Sequence, residues 1–206
     1  LCLNAGASKL ILLDIDKEKL QETTLELRAM HHEVHPYQLD VGNPDEVRST
    51  ALKVKSEVGR VDILINNAGI ITGKENFSRF THEAIDKTMV INANAYMHVT
   101  LEFLPDMIQN HSGHIVNIAS AAGMLSNPGM SVYCASKWAV IGWSESMRIE
   151  QDKEKTGVRV TTVTPSYINT GMFAGVTAPK VLPIMRPEKL AAKVVRAIRT
   201  DRLFVR

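Results

Sequence analysis

The sequence predicts a doubly wound α/β domain, a parallel sheet with helices on both faces, and three observations predict it. Short apolar runs recur along the chain, and stretches with the pattern of surface helices alternate with them. The runs close on polar or special residues, Asp14, Asp40, Asn66, Ser120 and Pro165. No repeat, low-complexity stretch or linker interrupts the alternation, so residues 1–206 read as one domain.

Each element has its own signal. Lys9 to Asp14 is a short apolar run bounded upstream by Gly6-Ala7-Ser8, as a buried strand is. Asp16 to Met30 spaces Leu20, Leu25 and Leu27 among charges, as a surface helix does, with Asp16 as its cap. Glu33 to Leu39 is a second strand. Asn43-Pro44 opens a helix to about Val58, because proline suits the first helical position. Val61 to Ile65 is a third strand, closed by Asn66-Asn67-Ala68-Gly69. A long helical stretch runs from Thr81 to Asn110, and His114 to Ala119 is a fourth strand. A second long helix covers Val132 to about Lys155. Val158 to Thr164 is a fifth strand, stopped by Pro165. Residues 166–186 read as irregular. Pro187 starts the last helix, and Arg202 to Arg206 reads as a strand.

Composition narrows the function classes. Apolar residues make up 45% and charged residues 22%, which fits a globular core. A net charge of +2 without a basic block gives no reason to expect nucleic acid or an anionic membrane. Cys2 and Cys134 make no disulfide framework, which points to a reducing compartment. No apolar run reaches the ~18 residues of a membrane helix. The seven histidines are scattered without metal-ligand spacing, so no metal is expected and each is read as solvated or capping.

In open α/β sheets ligands bind beyond the carboxyl ends of the strands, which directs attention to the five residues that close the runs. Tyr133 and Lys137 open the helix after the fourth strand and, four apart, share one face. A phenol with a pKa near ~10 is a poor base at neutral pH. A neighbouring ammonium favours the phenolate, so Lys137 is expected to lower that value and let Tyr133 move a proton to or from an alcohol oxygen. Ser120, thirteen residues earlier, could hold the same oxygen.

Asn66-Asn67-Ala68-Gly69, Ser120, Tyr133-x-x-x-Lys137 and Pro165 stand in the order and spacing of the short-chain dehydrogenase/reductase family, which the chain resembles from Leu1 to Arg206. The resemblance implies a Rossmann-type sheet and a catalytic tetrad, here Asn92, Ser120, Tyr133 and Lys137. Asn92 is chosen over Asn94 because it stands thirteen residues before the proline of Phe103-Leu104-Pro105. The implied roles are acid/base for Tyr133, pKa lowering and ribose binding for Lys137, substrate orientation for Ser120, and a water held by Asn92. The implied cofactor is NAD, with NADP as the alternative. The matching positions are Asp14 at the ribose, Asp40 and Val41 at the adenine, Asn67, Ala68 and Gly69 along the cofactor, Tyr133 and Lys137 at the nicotinamide ribose, and Pro165, Ile168 and Thr170 at the carboxamide. An acid at position 14 favours NAD, because it accepts from a ribose hydroxyl and repels a 2′-phosphate. Pro165-Ser166 departs from the family's usual Pro-Gly.

The family's glycine-rich loop and the mid-sheet strand before it match nothing in the sequence, so the native chain is expected to be longer at both ends. Residues 67–74, 133–137 and the apolar, Met-bearing segment after Pro165 resemble the retinol and 17β-hydroxysteroid dehydrogenase branch. That likeness implies a lipophilic alcohol or carbonyl substrate, such as a retinoid or steroid, bound under a lid. A homodimer or homotetramer is expected, because Met89, Val90, Met97, Val99, Trp138, Val140, Ile141 and Trp143 put apolar surface on more than one helix face. The expected location is the cytoplasm or the cytoplasmic face of a membrane, with any anchor left open. The alternatives are a 3-oxoacyl-thioester reductase of the same family and a non-catalytic dinucleotide-binding protein on the same fold.

Overall fold

The computed structural model describes residues 2–169 and 184–206. A 3-10 turn over Leu3–Ala5 precedes six strands, all parallel to their neighbours: β1 Lys9–Asp14, β2 Glu33–Gln38, β3 Ile63–Asn66, β4 Gly113–Ile118, β5 Val158–Val163 and β6 Phe204–Val205. Among the described residues they form two ladders, β1-β2 and β3-β4-β5-β6. β6 is two residues long where five were expected.

The helices are α1 Lys17–Ala29, α2 Pro44–Glu57, α3 His82–Met89, α4 Ala95–Gln109, α5 Ser131–Glu154 and α6 Pro187–Arg199. Caps set their starts. Asp16 accepts from the Lys19 amide at 3.1 Å, and Asn43 accepts from Asp45 and Glu46 ahead of α2. Glu46 reaches back to the Asp40 amide at 3.2 Å and to Asn43 Nδ2 at 3.0 Å, which fixes the turn carrying Asp40 and Val41.

Side chains alternate across the sheet, so adjacent residues feed opposite cores. Ile115 packs with Leu64, Val158 and Val160 under α2, α4 and α5, through Val54, Phe103, Met107 and Met147. Val116 and Val163 face the other way, onto Val194 and Ala197 of α6. His114 corrects the expectation of solvated histidines. It is buried between β4 and β5 with Nε2 2.8 Å from Thr161 Oγ1, and burial pushes its pKa down.

The stretch expected as one helix from Thr81 to Asn110 contains a π-helical turn, Val90–Asn94, between α3 and α4. Such turns insert a residue into the helical repeat and often mark functional sites. This one carries Asn92.

Candidate active site

Residues at the carboxyl ends of β1, β3, β4 and β5, and from the turn after β2, line one cavity of about 660 Å³. Asp14, Asp40 and Val41 line it together with Ser120, Tyr133 and Lys137. Asn66, Asn67, Ala68, Gly69, Pro165 and Ile168 lie along it, so the residues that close the runs do converge. Thr170 and most of the expected lid, residues 170–176 and 181–183 of the segments 169–176 and 181–188, lie outside the described residues.

The floor is held by a buried amide network. Asn66 Nδ2 donates to Asn117 Oδ1 at 2.8 Å and to Thr100 Oγ1 at 3.0 Å. Asn117 Nδ2 donates to Ser144 Oγ at 2.9 Å. β3, β4, α4 and α5 are thereby fixed to one another just beneath the site, where a satisfied polar network rigidifies its surroundings.

Ser120 and Tyr133 meet because the turn after β4 lies directly on α5. Gly123 permits this: a β-carbon there would stand 2.7 Å from the Lys137 carbonyl oxygen. Ser120 Oγ accepts from the Ala122 amide at 3.1 Å and shares a hydrogen bond with the Tyr133 phenol. The Lys137 ammonium stands 5.9 Å from the Tyr133 ring centroid and 5.2 Å from that of Tyr96. It donates to Ile118 O at 2.9 Å.

Lys137 is only 4% exposed, and burial pulls its pKa down to about 8. Tyr133 is 5% exposed, and its phenol corrects an expectation. Burial raises its pKa above the usual value, and the Ser120 hydrogen bond offsets this only in part. The resting phenol is therefore protonated at neutral pH. Asp14 Oδ1 accepts from the Asp16 amide at 2.9 Å, and the residue remains exposed at the cavity.

Asn92 lies behind the cavity wall, fully buried. Its Oδ1 accepts from the Ile70 amide at 2.8 Å, and its Nδ2 donates to Ile70 O at 2.9 Å and to Ser136 Oγ at 3.1 Å. Both amide hydrogens are thus committed to tying the loop after β3 to α5. Gly69 lies beside the junction; a β-carbon there would stand 3.6 Å from both Asn92 Oδ1 and Lys137 Nζ. Sequence reasoning missed Tyr96, Lys87, Ile91 and Ser166, which also line the cavity. Tyr96 stands four residues after Asn92, but the π turn takes the two off a common helix face, so the spacing carried no signal.

The sequence profile of the short chain dehydrogenase family matches residues 1–180. Epidermal retinol dehydrogenase 2 of Mus musculus is 43% identical over 200 residues, covering 95% of this chain and 64% of that protein. Retinol dehydrogenase 10-A of Danio rerio is 43% identical over 185 residues, 87% of this chain and 54% of that one. Human estradiol 17-beta-dehydrogenase 11 is 36% identical over 199 residues, 96% and 66%. The chain therefore spans about half to two thirds of these relatives. Among solved structures, a short-chain dehydrogenase/reductase from Burkholderia phymatum in complex with NAD superposes with a TM-score of 0.88 at 26% identity, covering 96% of this chain and 79% of that one. One from Sphingobium yanoikuyae in complex with NADPH gives 0.84 at 27% identity, with 96% and 77% covered.

Proposed function

The chain belongs to the short-chain dehydrogenase family, and from that premise we propose that it interconverts a lipophilic alcohol and its carbonyl with a nicotinamide cofactor. The observation that carries the proposal is the meeting of Ser120, Tyr133 and Lys137 in the wall of a cavity that Asp14 and Asp40 also line. The cavity is of ligand size, and Gly69 keeps its wall free of a side chain beside Lys137. These residues fit NAD, with Asp14 toward the ribose hydroxyls, Val41 toward the adenine, and Lys137 and Ile168 toward the nicotinamide end. When bound, the coenzyme would supply the hydride chemistry, NAD accepting a hydride from the alcohol carbon and its reduced form giving one to the carbonyl carbon.

Tyr133 is the acid/base. In the reducing direction its protonated phenol gives a proton to the carbonyl oxygen; in the oxidising direction its phenolate takes the proton of the alcohol. The Lys137 ammonium favours that phenolate. The Ser120 hydroxyl, already bonded to the phenol, holds the reacting oxygen at the same point. Asn92 acts as the tie that keeps the loop after β3 against α5, and any water relay to Lys137 must use something other than its committed amide hydrogens. The lipophilic substrate class is supported by relatives named for retinol and estradiol.

The test is turnover by the full-length protein on retinol, a 17β-hydroxysteroid, a medium-chain secondary alcohol and an acetoacetyl thioester, each with both coenzymes. Activity on the lipophilic alcohols, with higher kcat/KM for NAD than for NADP, is expected. Activity confined to the thioester would make the protein a 3-oxoacyl reductase, and coenzyme binding without turnover would make it a non-catalytic binder. A clear NADP preference would remove the role given to Asp14.

Self-association into a homodimer or homotetramer is part of the proposal. Val99 and Val140 are consumed by the core, but Leu101, Trp138 and Ile149 stay 66%, 53% and 55% exposed on α4 and α5. Light scattering at micromolar concentration should give a multiple of the full-length mass, and a monomer would refute this. Among the described residues, no helix is long and apolar enough to cross a membrane.

A further inference from the structure

Tyr96 is the second residue of α4, two past the π turn's last residue Asn94, and it is 2% exposed. Its ring belongs to a small core with Ala93, Ala119 and Val140, where a phenylalanine would pack equally well. The hydroxyl is nevertheless fully employed. It donates to Ile118 O at 3.1 Å and accepts from Lys137 Nζ at 3.4 Å. Lys137 also donates to Ile118 O, at 2.9 Å, so ammonium, hydroxyl and carbonyl close a triangle, with the ammonium 5.2 Å from the ring centroid.

No carboxylate neutralises this cation among the described residues, and burial is the cause of its depressed titration. The groups facing it are Tyr133 on its own helix, Tyr96 on α4, Ile118 and Ser120 from β4 and the turn after it, and Gly69 with Asn92 from the loop after β3 and the π turn. All are neutral at neutral pH, since burial pushes both phenols above their ordinary value. Two oxygens and two ring faces therefore stand where a counter-ion would otherwise be needed. An ammonium has three N–H groups. Ile118 and Tyr96 take two, which fixes the direction of the third.

We infer that Tyr96 is a positioning residue for Lys137: its hydroxyl oxygen and ring keep the buried ammonium charged and set the direction of the N–H left for the cavity. The inference rests on the proposed function for its catalytic consequence, but not for the contact itself.

Tyr96→Phe keeps the ring and removes the oxygen. In the full-length protein without coenzyme, the Lys137 side-chain carbon signal is followed by NMR against pH and assigned by its loss in Lys137→Met. Losing an acceptor disfavours the charged form, so the Lys137 midpoint should fall by about half a unit to one unit below that of the wild type. The alkaline limb of kcat/KM for alcohol oxidation should move down with it. The thermal midpoint near neutral pH should fall by only a few degrees, and the KM for NAD should change little. Tyr96→Leu, which also removes the ring, should lower the midpoint further. An unchanged Lys137 midpoint in Tyr96→Phe, or an alkaline limb that stays in place while the midpoint moves, overturns the inference. A lowered midpoint in a protein that turns over no alcohol supports the contact and counts against the proposed function alone.

Discussion

Tyr133→Phe is expected to lower kcat by about 10²–10⁴-fold, the usual contribution of a positioned acid/base, while NAD still binds. The phenol oxygen is the atom that Ser120 is bonded to, on a ring whose centroid lies 5.9 Å from the Lys137 ammonium, and it alone changes in the variant. The ring packs with Met130, Cys134, Ile71 and Ala122, and phenylalanine keeps that packing. Ser120 retains its bond from the Ala122 amide, so the turn should hold. Coenzyme titration by fluorescence and steady-state turnover on the same preparation separate the two effects. Near-full turnover in the variant would remove Tyr133 from the mechanism. A matched loss of NAD affinity would mean that the phenol binds more than it catalyses.

Lys137→Met should abolish most turnover and stabilise the fold. The ammonium is buried without a counter-ion, and its pKa, 10.5 in a free side chain, is pulled down to about 8. A displacement of that size corresponds to roughly 3 kcal/mol against the charged form, an upper bound for what the substitution recovers. Methionine keeps much of the volume and needs no solvation. Tyr96 still donates to Ile118 O, so no buried acceptor is orphaned. For a chain of this size each kcal/mol is worth about 2–4 °C, so a rise in Tm of several degrees is expected near neutral pH. The sign of the pH dependence follows from the depressed value. Between about pH 8 and 10.5 the unfolded chain binds more protons at this group than the folded one, so wild-type stability gains as pH rises through that window. The variant's advantage should shrink over the same range. A variant less stable than the wild type, or an advantage independent of pH, would contradict the description of Lys137 as an unneutralised cation. Buried charge kept at the expense of stability is what a functional group shows.

Much of this was legible in the sequence, for local reasons. Lys9–Asp14 had the bounds of its strand, because apolar runs with clear flanks need no tertiary information. Asp16, Asn43 and Pro44 marked helix starts through their own chemistry. Asp14, Asp40, Ser120 and Pro165 could be assigned to one site because parallel strands put their carboxyl ends on one side. The π turn was not legible, since one extra residue in a long apolar helix barely disturbs its period. Nor was the direction of the Tyr133 shift. Its spacing to Lys137 is local, but the burial that raises its pKa comes partly from residues such as Ile71 and Ala122, brought in by the fold. Tyr96 was missed for the same reason, because its partners Lys137 and Ile118 meet it only where α4 and α5 pack together at the end of β4.

The most direct measurement of the central claim follows the transferred atom. Full-length protein is incubated with NAD and a lipophilic alcohol carrying deuterium on its carbinol carbon, retinol or a 17β-hydroxysteroid, and the coenzyme is recovered for mass spectrometry. The geometry at Ser120, Tyr133 and Lys137 predicts reduced nicotinamide carrying one deuterium, in step with the carbonyl formed, and almost none in Tyr133→Phe. Carbonyl formation without label in the coenzyme, or label transfer undiminished in Tyr133→Phe, would contradict it.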